Sequence, residues 1–154
     1  MTDSIDIIFV EALDCYVEIE YEAKLRSIRF VKSKGYLKDR KTQSTSYDLE
    51  RYFKGEKIDF SCELEISHLS PFAQKVLEET RKIRYGITIT YSELARKIGC
   101  RGARAVGRAL ASNPIPIVIP CHRVVAKHGI GGFSAGVDIK TRLLELEKAK
   151  ANNL

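Results

Sequence analysis

The hydrophobic pattern of this chain changes its period near residue 70, and that change limits the folds that the chain can adopt. Before it, residues 15–22 alternate apolar and polar side chains, which is the period-2 pattern of a half-buried strand. After it, apolar residues recur every three or four positions, as in helices that pack on a core. The change predicts an α+β fold with two domains, a β-sheet and helix domain over residues 1–69 and a mostly helical domain over residues 70–154.

Three strands and one helix are predicted in the first domain. Apolar residues mark strands near residues 5–10, 15–22 and 25–30, and three successive strands suggest an antiparallel meander. Apolar side chains at helical spacing before Gly55 predict a helix over residues 46–54. The pattern of residues 58–66 is ambiguous.

The second domain contains four predicted helices. Ser70 can cap the first of them, and Pro71 suits its first turn. Residues 90–93 match a capping box for the second helix, and Gly99 is suited to end it. Two further helices are predicted at about residues 102–111 and 138–149. The second and third helices are short and close together, which indicates a helix-turn-helix.

The positive charge of the chain lies in its second half. The whole chain carries +6, but residues 1–69 hold 11 basic and 14 acidic side chains, whereas residues 70–154 hold 15 and 6. Between Thr80 and Ile130 the count is 10 basic residues to one acidic residue, Glu93. This balance favours an acidic partner for the second domain, such as nucleic acid or a membrane surface.

Several classes of protein do not fit the sequence. No apolar run approaches the roughly 18 residues of a membrane helix, and the first residues lack the basic and apolar regions of a signal peptide. The four cysteines are far apart, which predicts free thiols in a reducing cytoplasm rather than disulfides. No cluster of cysteine and histidine is visible, so we expect no metal and no cofactor.

The predicted helix at residues 102–111 has two distinct faces. One face is apolar at spacing i, i+3 and i+7: Ala103, Val106 and Leu110. Another carries arginines at the same spacing: Arg101, Arg104 and Arg108. The side chains between them are small: Ala105, Gly107 and Ala109. A slim helix with an arginine row can approach a DNA groove closely, so we favour DNA contact over a solvated basic face.

Residues 114–125 form the most unusual segment, because a thiol lies in an apolar, proline-stiffened stretch and precedes an imidazole and a guanidinium. The prolines restrict the backbone and can fix the direction of Cys121. A buried cysteine is usually inert, but a neighbouring base and cation can lower its pKa and supply thiolate. Adjacent residues of a strand point to opposite faces, so coupling of Cys121 to His122 needs a bent backbone or a bridging water.

The sequence Ile119-Pro120-Cys121-His122-Arg123-Val124 resembles the active-site motif of the O6-alkylguanine-DNA alkyltransferases, also called methylated-DNA–protein-cysteine methyltransferases. Other motifs occur in the family's order and spacing: Tyr85-Gly86 with Thr90-Tyr91, Ala103 to Gly107, Asn113 to Pro116, and Phe133 to Gly136. This ordered set covers about residues 70–148 and is more specific than one pentapeptide. The first domain matches the family only in size and strand content.

The resemblance implies DNA repair by direct reversal, in which the alkyl group of O6-alkylguanine moves irreversibly to Cys121 in a single turnover. His122 would act through a water as the base, Glu147 would orient the imidazole, and Tyr91 would bind the guanine ring. Glu147 also follows Leu143 by four positions, near the apolar face of the last helix, where a carboxylate needs a buried partner.

The resemblance also implies the fold, the partner and the DNA contacts. It implies a ribonuclease H-like scaffold before a winged helix-turn-helix domain, and a monomer that binds double-stranded DNA containing O6-alkylguanine and no membrane. The damaged base would flip out of the duplex, and Arg104 would fill the gap in the stack. The other DNA-binding positions would be Arg101, Ala103, Ala105, Gly107 and Arg108.

The base pocket and the hinge would be formed by five residues: Asn113, Pro116, Val124, Phe133 and Ser134. The Ser134 backbone N–H would face O6 of the guanine, and the Val124 carbonyl would face its exocyclic amine. Phe133 and Ala135 stand where the family often has tyrosine and glycine, which bears on the tolerance for bulky alkyl groups.

Two other functions are weighed against repair. A winged-helix protein that only binds alkylated bases would not need Cys121, and family relatives that only bind lack this cysteine. A cysteine hydrolase could use Cys121, His122 and Glu147, but it would leave the basic helix unexplained.

Overall fold

A computed structural model describes residues 3–100 and 102–152, with side chains up to residue 148. The fold is α+β, as predicted. The chain forms two compact units, Met1–Glu65 and Ile66–Leu154, so the division falls a few residues before the predicted boundary. No helix among the described residues is both long and apolar enough to cross a membrane.

The first unit is a three-stranded antiparallel sheet with one helix. Strands β1 (Ser4–Val10), β2 (Cys15–Glu22) and β3 (Lys24–Val31) lie in the order β1-β2-β3, which confirms the predicted meander. Alternate side chains of β2 are buried and the others are partly or fully exposed. Helix α1 (Ser44–Phe53) contacts β1 and begins slightly earlier than predicted. The ambiguous segment contributes a single bridge, between Leu64 and Leu25.

A buried carboxylate on β1 holds the beginning of α1. Asp6 accepts hydrogen bonds from the Thr42 backbone N–H at 2.8 Å, the Thr42 hydroxyl at 2.7 Å and the Ser46 hydroxyl at 2.6 Å. Burial by itself would raise the pKa of Asp6, but the hydrogen bonds from Ser46 and Thr42 together outweigh burial and hold it below its usual value. Asp6 is therefore an ionised, satisfied group that joins the sheet to the helix.

The second unit is mainly helical, and two of its helices are capped by the residues that the sequence predicts. Its helices are α2 (Pro71–Arg81), α3 (Tyr91–Lys97), α4 (Ala103–Ala111) and α5 (Val137–Asn152). The Ser70 side chain accepts a hydrogen bond from the Ala73 N–H, and Thr90 forms a complete capping box with Glu93. Helix α4 packs on both α2 and α3.

A very short parallel sheet joins two distant parts of the second unit. Strand β4 (Ile89–Thr90) pairs with β5 (Val124–Val125), so that Ile89 lies opposite Val124 and Thr90 opposite Val125. Because β4 leads directly into α3 and β5 begins three residues after Cys121, the pairing brings the beginning of α3 close to the segment that contains Cys121. In the loop over residues 126–136, the described pairing is one isolated bridge between Ala126 and Gly129.

Candidate functional site

The segment that precedes Cys121 is folded around the side chain of Asn113. The Asn113 amide donates to the Ile119 carbonyl at 2.9 Å, and its oxygen accepts from the Ile115 N–H at 2.9 Å. The buried Ile117 adopts φ 75°, a left-handed conformation that is unfavourable for a β-branched residue. The end of α4 is thus tied to the residues just before the cysteine.

Cys121 lies at the beginning of a single 3₁₀ turn, Cys121–Arg123. This turn supplies the bent backbone that coupling of adjacent cysteine and histidine side chains requires. Burial raises the pKa of the Cys121 thiol, although the Asn113 side chain, the charge of Lys140 and nearby backbone N–H groups oppose the rise. The expectation of a lowered cysteine pKa is therefore wrong for the protein without DNA, because burial outweighs the neighbouring dipoles and charges.

A buried ionic cluster lies directly after the cysteine. His122 is fully buried, and its Nε2 atom lies 2.6 Å from Oε2 of Glu147, which is 1% exposed. Arg123 reaches both oxygens of the same carboxylate, with Nε at 2.8 Å from Oε1 and Nη2 at 3.1 Å from Oε2. The Gly86 N–H donates to Oε1 at 3.2 Å. The structure therefore brings His122 and Glu147 together, as the sequence analysis proposed.

The protonation states of this cluster follow from burial and from the charge pair. Burial would raise the pKa of Glu147, but hydrogen bonds and charge from His122 and Arg123 hold it well below its usual range. Burial lowers the pKa of His122 more than Glu147 raises it, so the imidazole is neutral at pH 7. An ionised Glu147 accepts the Nε2–H, which leaves the basic lone pair of the neutral ring on Nδ1.

Lys140 is a functional candidate that sequence reasoning missed, whereas Arg123 was noted only as a cation beside the thiol and was given no role in the site. Arg123 balances the charge of Glu147, donates to the Ile83 carbonyl at 2.7 Å, and lies 5.7 Å from the centre of the Tyr85 ring. Its position directly after the cysteine and histidine was a usable signal. Lys140 is fully buried. The sequence alone would place it on the exposed face of its helix, because lysine side chains are almost never fully buried.

Tyr91 lies at the beginning of α3 and faces the loop that follows the cysteine segment. Its hydroxyl is 3.5 Å from the Gly132 carbonyl, a weak hydrogen bond at most. A Cβ added at Gly131, where φ is +78°, would lie only 2.7 Å from the same hydroxyl. Burial raises the pKa of Tyr91, so its phenol stays protonated at neutral pH and can donate a hydrogen bond.

The other predicted pocket residues have different surroundings. Val124 is buried, Pro116 and Phe133 are partly buried, and Ser134 is exposed. The Ser134 hydroxyl donates to the Ala111 carbonyl at 3.0 Å, which joins the loop to the last residue of α4. The roles of these residues toward a base remain predictions.

The two faces of α4 are largely as the sequence indicates. Val106 and Leu110 are buried, while Arg104 and Arg108 are exposed. Three small residues are partly buried: Ala103, Ala105 and Gly107. Arg101, the remaining member of the predicted arginine row, lies outside the described residues. Because these arginines are already exposed, they can contact phosphates without leaving a buried position.

Fold and site together define a small α+β protein in which a partly buried cysteine and a buried His–Glu pair come together after a helix with exposed arginines. The family model for the DNA-binding domain of 6-O-methylguanine DNA methyltransferase matches residues 71–149. The curated methylated-DNA–protein-cysteine methyltransferase of Metallosphaera sedula is 46% identical over 99 residues, which cover 64% of this chain and 63% of that protein. The protein of the same name from Methanopyrus kandleri is 46% identical over 110 residues, which cover 71% and 83%.

A solved structure gives the same result for the fold. Mycobacterium tuberculosis OGT in complex with DNA superposes with a TM-score of 0.81 at 34% identity, covering 95% of this chain and 93% of that one. The chain therefore belongs to the 6-O-methylguanine DNA methyltransferase family, which confirms the resemblance. It spans slightly less than two thirds of the length of the Metallosphaera relative.

Proposed function

We propose that this chain repairs DNA by direct damage reversal, as a methylated-DNA–protein-cysteine methyltransferase. It transfers the alkyl group from O6-alkylguanine in duplex DNA to its own Cys121. Each molecule reacts once, because the thioether product has no leaving group that would regenerate the thiol. The observation that carries the proposal is the buried contact between His122 and Glu147 beside Cys121, in a chain that belongs to this family.

The side chains of this site account for the individual steps of the transfer. His122 Nδ1 takes the thiol proton through a water, and the ionised Glu147 stabilises the imidazolium that results. The thiolate of Cys121 then attacks the alkyl carbon, and the bond from that carbon to O6 breaks. The electron pair of that bond stays on the guanine, which regains its normal form when it takes up a proton.

Recognition of the base is assigned to groups around the cysteine. Tyr91 donates a hydrogen bond to the guanine ring and favours its departure as negative charge develops. The Ser134 backbone N–H faces O6 and the Val124 carbonyl faces the exocyclic amine, while Phe133 and Pro116 border the pocket. Asn113 acts as the hinge between the helix pair and the cysteine segment, which its two backbone hydrogen bonds support.

Contact with DNA is assigned to the helix pair that ends in α4. Its small residues allow close approach to a groove: Ala103, Ala105 and Gly107. Arg104 fills the space that the flipped base leaves, while Arg108 and Arg101 bind phosphates. Because phosphate contacts release counterions, salt should weaken DNA binding far more than it weakens reaction with a free alkylated base.

The finer description of the fold is part of the same proposal. We assign residues 1–69 to a ribonuclease H-like scaffold and residues 70–154 to a winged helix-turn-helix domain that binds DNA and accepts the alkyl group. Four free cysteines support an assignment to the reducing cytoplasm, where the thiol of Cys121 stays available. We expect the protein to act as a monomer, without a cofactor.

One labelling experiment tests the proposed function. Equimolar protein and duplex DNA containing O6-methylguanine are incubated, and the methyl group is located by peptide mass spectrometry. We expect one methyl group on Cys121 for each lesion converted to guanine. Cys100→Ala is the matched control, since Cys100 is also partly buried in the second unit and should be dispensable.

The outcomes separate the competing functions. Cys121→Ala should still bind the lesion but leave it intact. An unmodified Cys121 together with an intact lesion would contradict repair. The remaining hypothesis would then be a protein that only binds alkylated DNA. Repeated turnover of a substrate without a retained adduct would indicate a hydrolase.

A further inference from the structure

An open groove lies on the surface of the second unit, between the end of α2, the turn that follows it and the end of α3. We call it the α2–α3 groove, and its volume is about 170 Å³. Three isoleucines line it: Ile83, Ile87 and Ile89. Ile87 is 53% exposed, although burial of an isoleucine side chain is favourable. Exposed apolar surface that is bordered by polar residues is typical of interaction sites.

The α2–α3 groove is also positively charged. It is lined by one carboxylate, Glu79, and by three basic side chains: Lys82, Arg84 and Lys97. The net charge of the lining is therefore +2. Lys82 Nζ lies 3.0 Å from Oε2 of Glu79, so these two charges largely cancel. Arg84 and Lys97 are exposed and form no ion pair with any residue that the structure describes, so both are available to an anionic partner.

One wall of the α2–α3 groove is fixed from behind by the buried ionic cluster. The Ile83 carbonyl accepts a hydrogen bond from Arg123 at 2.7 Å, and the Gly86 N–H donates to Glu147 at 3.2 Å. Ile89 belongs to β4, which is paired with β5. Because these contacts already hold the wall in place, a partner would have to order little of it on binding.

The volume of the groove limits what it can hold. Sites for small molecules and cofactors usually measure about 300–1,000 Å³, well above the volume of about 170 Å³ found here. The groove therefore has room for one or two side chains rather than for a cofactor. Its lining favours an apolar side chain that has negative charge beside it.

We propose that the α2–α3 groove docks an acidic segment of a partner protein. One apolar side chain of the segment enters between the isoleucines and contacts Ile87, while neighbouring carboxylates meet Arg84 and Lys97. Recognition of acidic motifs by clusters of basic residues is a recurring mode of peptide binding. The inference adds a protein partner to the proposed repair function and does not depend on that function, because docking involves neither DNA nor Cys121.

DNA is the alternative partner of a basic surface, but the isoleucines argue against it. Phosphates interact with cations and gain nothing from an apolar side chain. A phosphate backbone on the groove would cover Ile87 without giving it an apolar contact, whereas a peptide side chain would bury it against apolar atoms. The α2–α3 groove and the arginines of α4 are therefore assigned to different partners.

The test selects peptides from a random displayed library on the full chain. The library is first depleted on Ile87→Ser, which lacks the apolar surface, so that peptides for other surfaces are removed. Fluorescence polarisation then compares the enriched peptides on wild type, Arg84→Glu and Lys97→Glu. The matched control is Arg96→Glu, because Arg96 is exposed, precedes Lys97 on α3 and does not line the groove. Thermal melting verifies that each variant is folded, and binding of an undamaged DNA duplex is measured on the same variants.

We expect the enriched peptides to contain an apolar residue next to aspartate or glutamate. Their affinity should fall about tenfold in Arg84→Glu and in Lys97→Glu, and it should keep the wild-type value in Arg96→Glu. Added salt should weaken their binding to the wild type, because exposed charge pairs are screened. Ile87→Ser should bind the duplex as the wild type does.

Three results would overturn the proposal: no enrichment from the depleted library, enriched peptides without acidic residues, or equal affinity in all the charge variants. Duplex binding that weakens in Ile87→Ser as much as in Arg84→Glu would also overturn it, since the groove would then be part of the DNA contact. If Ile87→Ser does not fold, depletion on Lys97→Glu keeps the selection decisive. Absence of alkyl transfer in the wild type would refute the proposed function and leave the peptide result standing.

Discussion

Replacing Gly131 by alanine should slow alkyl transfer about tenfold and destabilise the fold by about 2 kcal/mol. The added Cβ would lie 2.7 Å from the Tyr91 hydroxyl oxygen and 2.9 Å from its Cε2, whereas ordinary contacts begin at 3.4 Å. The ring must therefore move by ~0.7 Å, and a displacement of about 1 Å in an active site can cost about 100-fold in rate. The left-handed backbone at φ +78° adds about 1–2 kcal/mol for any L-residue.

The two effects are separated by two control variants. Gly35→Ala has a comparable strained φ of +59° but open space around it, so it should lose about 1 kcal/mol of stability and keep the wild-type rate. Gly129→Ala, which has neither strain nor a close neighbour, should change neither quantity.

The assays are single-turnover transfer from O6-methylguanine duplex and calorimetric melting, where about 2 kcal/mol corresponds to a Tm lower by about 4–8 °C. If Gly131→Ala transfers at the wild-type rate and melts like Gly35→Ala, then the loop does not hold Tyr91 in its reactive position.

Three further predictions concern other residues. Arg104→Ala should reduce repair of duplex DNA about 100-fold but leave reaction with free O6-benzylguanine unchanged, because a free base needs no flipping; equal losses in the two rate assays would contradict the stack-filling role. Glu147→Gln should slow transfer, retain DNA binding and cost about 3–5 kcal/mol in urea unfolding, because it leaves Arg123 buried without its counter-charge; an unchanged transfer rate would contradict the relay. Asp6 has a folded pKa below its unfolded value of about 3.9, so its stabilisation is complete above that pH and is lost as the pH falls through the folded pKa; urea unfolding from pH 2 to pH 6 should show a weaker acid dependence in Asp6→Asn, and an identical dependence would argue against this contribution.

Structural features that depend on residues close together in the chain could be predicted from the sequence. The Ser70 cap, the capping box from Thr90 to Glu93 and the alternation along residues 15–22 all specify structure through near neighbours. The burial of Glu147 could be predicted for a different reason. A carboxylate four positions after Leu143 lies beside the apolar face of α5.

The roles of Arg123 and Lys140 depend on contacts that the sequence does not place together. The acceptors of Lys140 lie 8 and 16 positions before it, on a loop and on a two-residue strand that shows no pattern of its own. Arg123 meets Glu147 across 24 positions. The raised pKa of Cys121 could not be predicted from the sequence either, because it depends on how the folded unit surrounds the thiol.

The pairing of β4 with β5 shows which changes the site could tolerate over evolutionary time. The strands align Ile89 with Val124 and Thr90 with Val125 through main-chain hydrogen bonds, which most side chains can accompany. Substitutions at the partly buried Ile89 and Val125 should therefore accumulate with little effect on the alignment of phenol and thiol, whereas Thr90 also caps α3 and Val124 is fully buried. A residue inserted between Thr90 and Tyr91 would instead turn the phenol away, so the chain length should be preserved there more strictly than the composition.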